Sequence, residues 1–92
     1  MSELQVTVGV PNGLCARPAS RFVRAAGRHT VPVGVGRPDR AAVDARSLLG
    51  VLTLGAGHGD TLVLTADGDG LAAREALDEL GALLADGRDA AR

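Results

Sequence analysis

One residue in this chain stands out as a nucleophile. Cys15 is the only cysteine, and it lies within Pro11-Asn12-Gly13-Leu14-Cys15-Ala16-Arg17-Pro18-Ala19. Pro-Asn-Gly is turn chemistry, and Pro18 suits the first turn of a helix, where a missing N–H is no loss. Cys15 therefore falls where a turn enters a helix. The first amide groups of a helix have no partner inside it, and that end carries partial positive charge. Anions are favoured there, phosphate and thiolate alike. Arg17 adds a fixed cation with forked donors. The thiolate is the reactive form of cysteine, so Cys15 is a candidate covalent nucleophile. Arg17 is its electrostatic partner, and Asn12, Ala16 and Pro18 shape its surroundings. A lone cysteine more often merely packs; the helix entrance and the neighbouring arginine favour the reactive reading.

Ser47 is the second candidate. It precedes Leu48, Leu49, Val51 and Leu52 and suits the N-cap of a short helix. A phosphate at such a position is also favoured, so a cap and a modification are compatible there. Leu48, Leu49 and Leu52 either enter the core or form an apolar docking patch, and a short amphipathic helix must bury some of them. Arg17, Arg21, Arg24 and Arg28 recur at helical spacing, as an ordinary solvated face or as a contact for an acidic partner. The candidate partner-binding set is therefore Arg21, Arg24, Leu48, Leu49 and Leu52. His29 and His58 are isolated and read as exposed loop or helix-end residues. One Cys and two such histidines make no metal-ligand spacing. Asp67-Gly68-Asp69-Gly70 is a turn, because a calcium loop would need Gly at its sixth position. No cofactor or metal is expected.

The elements that position these residues follow from periodicity. Leu4, Val6, Val8 and Val10 alternate with polar residues or Gly, a half-buried strand. Ala19, Phe22, Val23 and Ala26 lie on one face of the first helix. Val31, Val33 and Val35 alternate in a second strand. Pro32 interrupts its ladder, so a bulge or a late start is expected there. Arg37-Pro38-Asp39-Arg40 reads as a turn, and residues 41–45 as a short third strand, closing a hairpin over 31–45. The helix after Ser47 ends in a flexible loop carrying Gly55, Gly57 and Gly59. Residues 60–66 are the most apolar strand and belong at the centre of the sheet. The last helix places Ala73, Ala76, Leu77, Leu80, Leu83 and Leu84 on one face. Residues 86–92 read as a polar, frayed end. The order β-α-β-β-α-β-α predicts an α+β, two-layer, open-faced sandwich.

Composition bounds the function. Ninety-two residues suit one domain over 1–92, with an ordered core over about 3–86. The net charge of −1 and the single aromatic residue, Phe22, argue against nucleic-acid and membrane-surface partners. No run approaches the roughly 20 apolar residues of a spanning helix, and no basic segment leads into an apolar signal core. One cysteine forms no internal disulfide, so a cytoplasmic setting is expected. The chain offers no general base and no substrate pocket of an independent enzyme.

Asn12-Gly13-Leu14-Cys15-Ala16-Arg17-Pro18-Ala19 resembles the signature of the HPr-like phosphocarriers of the bacterial sugar phosphotransferase system, and Ala45-Arg46-Ser47-Leu48-Leu49 with Leu52-Thr53-Leu54-Gly55 resembles a second family segment. The resemblance spans roughly residues 3–86, with about one extra residue near the 37–40 turn. It implies a four-stranded antiparallel sheet of order 1-4-2-3 with three helices on one face. In the family, the position of Cys15 is a histidine, phosphorylated by a phosphoenolpyruvate-dependent enzyme and then a donor to sugar-transporter subunits. Ser47 matches a regulatory serine, so the resemblance implies Ser47 as a candidate regulatory site for a serine kinase. Sulfur at the carrier position suits an acyl group, since a thioester survives delivery between enzymes and an acyl-imidazole hydrolyses easily. The chain is thus expected to be a covalent carrier served by a loading and an acceptor enzyme in a dedicated biosynthetic pathway. S-phosphocysteine phosphotransfer, or regulation through Ser47 alone, are the alternatives.

Overall fold

The computed structural model describes residues 1–86, and the frayed end expected over 86–92 lies, but for its first residue, outside the described residues. Seven elements follow in order: β1 (Ser2–Thr7), α1 (Ala16–Arg28), β2 (Val33–Gly36), β3 (Val43–Asp44), α2 (Leu48–Thr53), β4 (Thr61–Ala66) and α3 (Leu71–Ala85). All pairings in the sheet are antiparallel, and its order is β1-β4-β2-β3. This is the open-faced α+β sandwich that the periodicity and the resemblance imply.

β4 is central, as its apolar content predicts. Leu62, Leu64 and Ala66 are buried toward the helices, and Thr61, Val63 and Thr65, on the opposite face, are only half-buried. Its register sets Thr7 opposite Thr61 and Gly36 opposite Val63. The alternation expected over residues 4–10 is real, since Val6, Val8 and Val10 are all buried. The strand nonetheless stops at Thr7, because its ladder partner begins at Thr61. Beyond that point Val8 exchanges backbone bonds with Gly59 and Asp60, and Gly9 N–H donates to Leu84 O. Pro32 lies just outside β2, which starts at Val33, the late start expected of a residue that cannot donate to the ladder. β3 keeps two residues of the expected five, although Ala45 N–H still donates to Val33 O.

The helices close one side of the sheet with residues at helical spacing. α1 buries Ala19, Phe22, Ala25 and Ala26, with Val23 half-buried. α3 buries Ala73, Ala76, Leu77, Leu80, Gly81 and Leu84. It lies close on β1, since a Cβ at Gly81 would come within 2.7 Å of a Leu4 methyl.

The C-terminal end of α1 is tied to α3 by Arg28 and His29, both bonded to the Glu79 carboxylate. The His29 hydrogen bond first, and then the nearby Arg28 and His29 charges, hold that carboxyl below its ordinary value of 4.5. A depressed carboxylate contributes stability that is present above its unfolded value and lost as pH falls through the folded one. Glu79→Gln is therefore expected to flatten the acid limb of the thermal midpoint against pH below about 4.5, lowering the midpoint at neutral pH by the small amount that the wild type itself loses in acid, so that the two proteins converge at low pH. Parallel melts of both proteins from pH 3 to 7 check this (approximate bounds of the window).

Candidate functional site

The segment before α1 is built to present Cys15. Gly13 N–H closes a turn onto Val10 O at 3.0 Å. Gly13 adopts φ +72, and a Cβ there would lie 2.5 Å from Ala56 O and 2.8 Å from Gly57 Cα. Glycine is thus required twice over, by the left-handed backbone and by the close approach. Leu14 is buried, and its N–H donates to Ala56 O at 2.9 Å. With Leu14 anchored inward, the next side chain faces out. Cys15 is exposed.

Cys15 is the N-cap of α1, with extended backbone, and its side chain makes no capping hydrogen bond. Its carbonyl accepts the first helical bond, from Ala19 N–H at 2.9 Å. Pro18 occupies the third helical position and offers no N–H, so the first-turn amides facing this end are those of Ala16 and Arg17. No acidic residue lies in that turn to oppose an anion. Asn12, Ala16, Arg17, Arg21 and Arg24 are exposed and Pro18 is half-buried. The geometry is that of a thiol at the positive end of a helix dipole, with a guanidinium two residues on. His29 is a poor candidate base for this thiol, because the 13-residue α1 separates them by about 20 Å at 1.5 Å per residue. His58 is exposed. Among the described residues no three His, Cys, Asp or Glu side chains gather as a metal would require. Nor does any described helix reach the length and apolarity needed to cross a membrane.

Ser47 caps α2, its Oγ accepting from Gly50 N–H at 3.0 Å, and it is exposed. Ser47→Ala should lower stability by about 0.5–2 kcal/mol, checked by denaturant midpoint. An unchanged midpoint would mean the cap contributes nothing. On α2 it is Val51 that enters the core. Leu48, Leu49 and Leu52 are 41%, 74% and 38% exposed, so they are available as a surface. α1 and α2 pack against each other, and the Leu14–Ala56 bond joins the Cys15 turn to the segment that follows α2.

That segment was not legible as part of the site. Its three glycines predict a flexible loop, yet residues 54–60 are held at several points. Asp60 Oδ2 accepts from Gly57 N–H at 2.8 Å, Gly59 N–H donates to Val8 O, and Asp60 O accepts from Val8 N–H. Arg37, just past β2, donates to Leu54 O, Gly55 O and Asp60 Oδ2. An Asp ending a Gly-rich stretch is an available sequence signal for such self-bonding.

A family model described as the PTS HPr component phosphorylation site matches residues 2–86. The chain belongs to the HPr family. The phosphocarrier protein HPr of Streptomyces coelicolor is 48% identical over 87 residues, covering 95% of this chain and 91% of that protein. The HPr-like protein Crh of Halalkalibacterium halodurans is 41% identical over 69 residues, covering 75% and 81%. The crystal structure of a phosphocarrier protein HPr from Bacillus anthracis superposes with a TM-score of 0.82 at 35% identity, covering 90% of this chain and 95% of that one. HPr proteins are carriers, and the fold, strand order and length of this chain are those of the family.

Proposed function

We propose that this HPr-family chain is a covalent carrier that holds its cargo on Cys15 Sγ, an acyl-type group bound as a thioester. One observation supports the reading above the others: the only nucleophilic thiol stands exposed at the N-cap of α1 and is spent on no capping bond. In loading, the thiolate attacks the carbonyl of an acyl donor activated as a mixed anhydride. A C–S bond forms and the phosphate or nucleotide leaving group departs with the electron pair. In delivery, the acceptor enzyme's nucleophile takes the acyl carbon and the thiolate leaves. Arg17 and the first-turn amides steady anionic groups of the donor and the cargo. Leu48, Leu49 and Leu52 supply apolar anchors to the loading and acceptor enzymes, while Arg21 and Arg24 speed encounter with acidic surfaces.

A second cargo is favoured by the relatives, which are named as phosphocarriers: a phosphoryl group on the same sulfur. Intact mass of the chain purified from its host distinguishes them. A thioester is cleaved by neutral hydroxylamine and survives mild acid; a phosphoryl adduct adds the mass of one phosphate. Modification of Ser47 instead of Cys15 would favour regulation by a serine kinase over either cargo. The docking surface has its own test. Leu49→Ala is expected to reduce transfer efficiency about tenfold while shifting stability by no more than about 0.5 kcal/mol, measured as kcat/KM with the cognate enzyme and as a thermal midpoint.

A further inference from the structure

We propose that Arg37, clasped to Asp60, is a positioning residue for the Cys15 turn, acting through the loop over residues 54–60. The inference deepens the reading of Cys15 as the carrier residue and rests on it for its functional meaning. Arg37 sits just past the end of β2, far from Cys15 in sequence, yet its guanidinium reaches three acceptors in one short loop. Nε and Nη2 donate to Leu54 O at 3.3 and 3.1 Å, and Nη2 donates to Gly55 O at 3.1 Å and to Asp60 Oδ2 at 3.2 Å. Two of these are carbonyls at the C-terminal end of α2, where a cation is favoured. The third is the carboxylate that also takes Gly57 N–H. Between the two anchor points lies Ala56, whose carbonyl accepts Leu14 N–H and packs beneath Gly13. The chain of contacts runs from Arg37 to the loop, from Ala56 to Leu14, and from Leu14 to its neighbour Cys15.

The clasp also fixes the end of α2, the helix that carries Leu48, Leu49 and Leu52. One side chain therefore bears on both the Cys15 turn and the seat of the apolar surface, beside the Val8 backbone bonds that hold the far end of the loop. The glycines explain why a clasp is needed. Gly55 and Gly59 have positive φ, and the glycines bring no side chains to anchor the first half of the loop, where Arg37 takes Leu54 O and Gly55 O. The Arg37–Asp60 pair is 34% and 40% exposed, so its contribution to global stability is small. Its effect should be local to the loop and its partners.

Native-state hydrogen exchange on the full chain reads this directly. In Arg37→Ala, exchange at Leu14 N–H is expected to rise about tenfold, the loss of charge-assisted bonds to the loop, while Leu64 on the central strand changes by less than about twofold. Asp60→Asn keeps an acceptor for Gly57 N–H and removes the charge, so it should give a smaller rise at Leu14 with the fold secure. Arg37→Lys keeps the charge without the fork and should restore Leu14 protection only in part. Exchange at Leu14 that rises only in step with Leu64, or does not change, overturns the positioning role. The measurement uses no cargo, so it stands or falls separately from the carrier reading, which is tested by the adduct on Cys15 and by transfer.

Discussion

Cys15→Ser is expected to leave the fold intact and to reduce carrier activity to background. The side chain is exposed and makes no capping bond, so the thermal midpoint should correspond to a stability change within about 0.5 kcal/mol. Serine places a similar small group at the same helix entrance and gains a better capping oxygen. What it lacks is a readily ionised, strongly nucleophilic atom at neutral pH. Transfer assayed with the host's loading and acceptor enzymes should therefore vanish, while circular dichroism and the melt remain those of the wild type. Retained transfer by Cys15→Ser, at a rate close to that of the wild type, would show that sulfur is not the attachment point.

The largest effect on stability is expected from Phe22→Ala. Phe22 is the only aromatic residue, is 1% exposed, and sits on the buried face of α1 among the small residues Ala19, Ala25 and Ala26. Those alanines let α1 lie close to the rest of the core, and Phe22 fills the space between. Its removal leaves a cavity that backbone elements cannot close without shifting. The cost should be about 3–5 kcal/mol, a large part of the roughly 5–15 kcal/mol that a domain possesses. For a chain of this size each kcal/mol moves the midpoint by about 4–8 °C. Calorimetry checks it: a midpoint lowered by less than about 5 °C would mean that Phe22 is not the keystone of this core.

Most of the architecture was legible because period and punctuation agree. Leu4, Val6 and Val8 alternate and their side chains face the core. Ala19, Phe22 and Ala26 fall at helical spacing and theirs do too. Pro18 and Pro32 each mark a boundary for the same reason, a missing N–H that the helix tolerates at its start and the strand does not tolerate inside. Ser47 signals its cap by type alone. The end of β1 was not legible, since Val8 and Val10 keep the alternation after the ladder partner has changed from β4 to the 54–60 loop. The shortness of β3 was hidden likewise, because pairing at an edge depends on how far the neighbouring strand extends.

For the site the division is sharper. Cys15, Arg17 and Pro18 announce themselves by type and spacing within nine consecutive residues. The loop beneath them does not, because Arg37, Ala56 and Asp60 meet only after the sheet has formed. A Gly-rich loop looks flexible in a sequence when its restraints come from a distant side chain. The exposure of Leu48, Leu49 and Leu52 was equally undecided beforehand. Val51 alone satisfies the core at α2, which leaves the leucines on the surface.

The attachment of cargo to Cys15 is tested most directly by intact mass and peptide mapping of the chain isolated from its own host, beside Cys15→Ala isolated in the same way. The expected result is an adduct on the peptide containing Cys15, removed by neutral hydroxylamine and absent from the variant. An adduct that persists in Cys15→Ala, or a host pathway that proceeds equally with either protein, would contradict the assignment of Cys15 as the carrier residue.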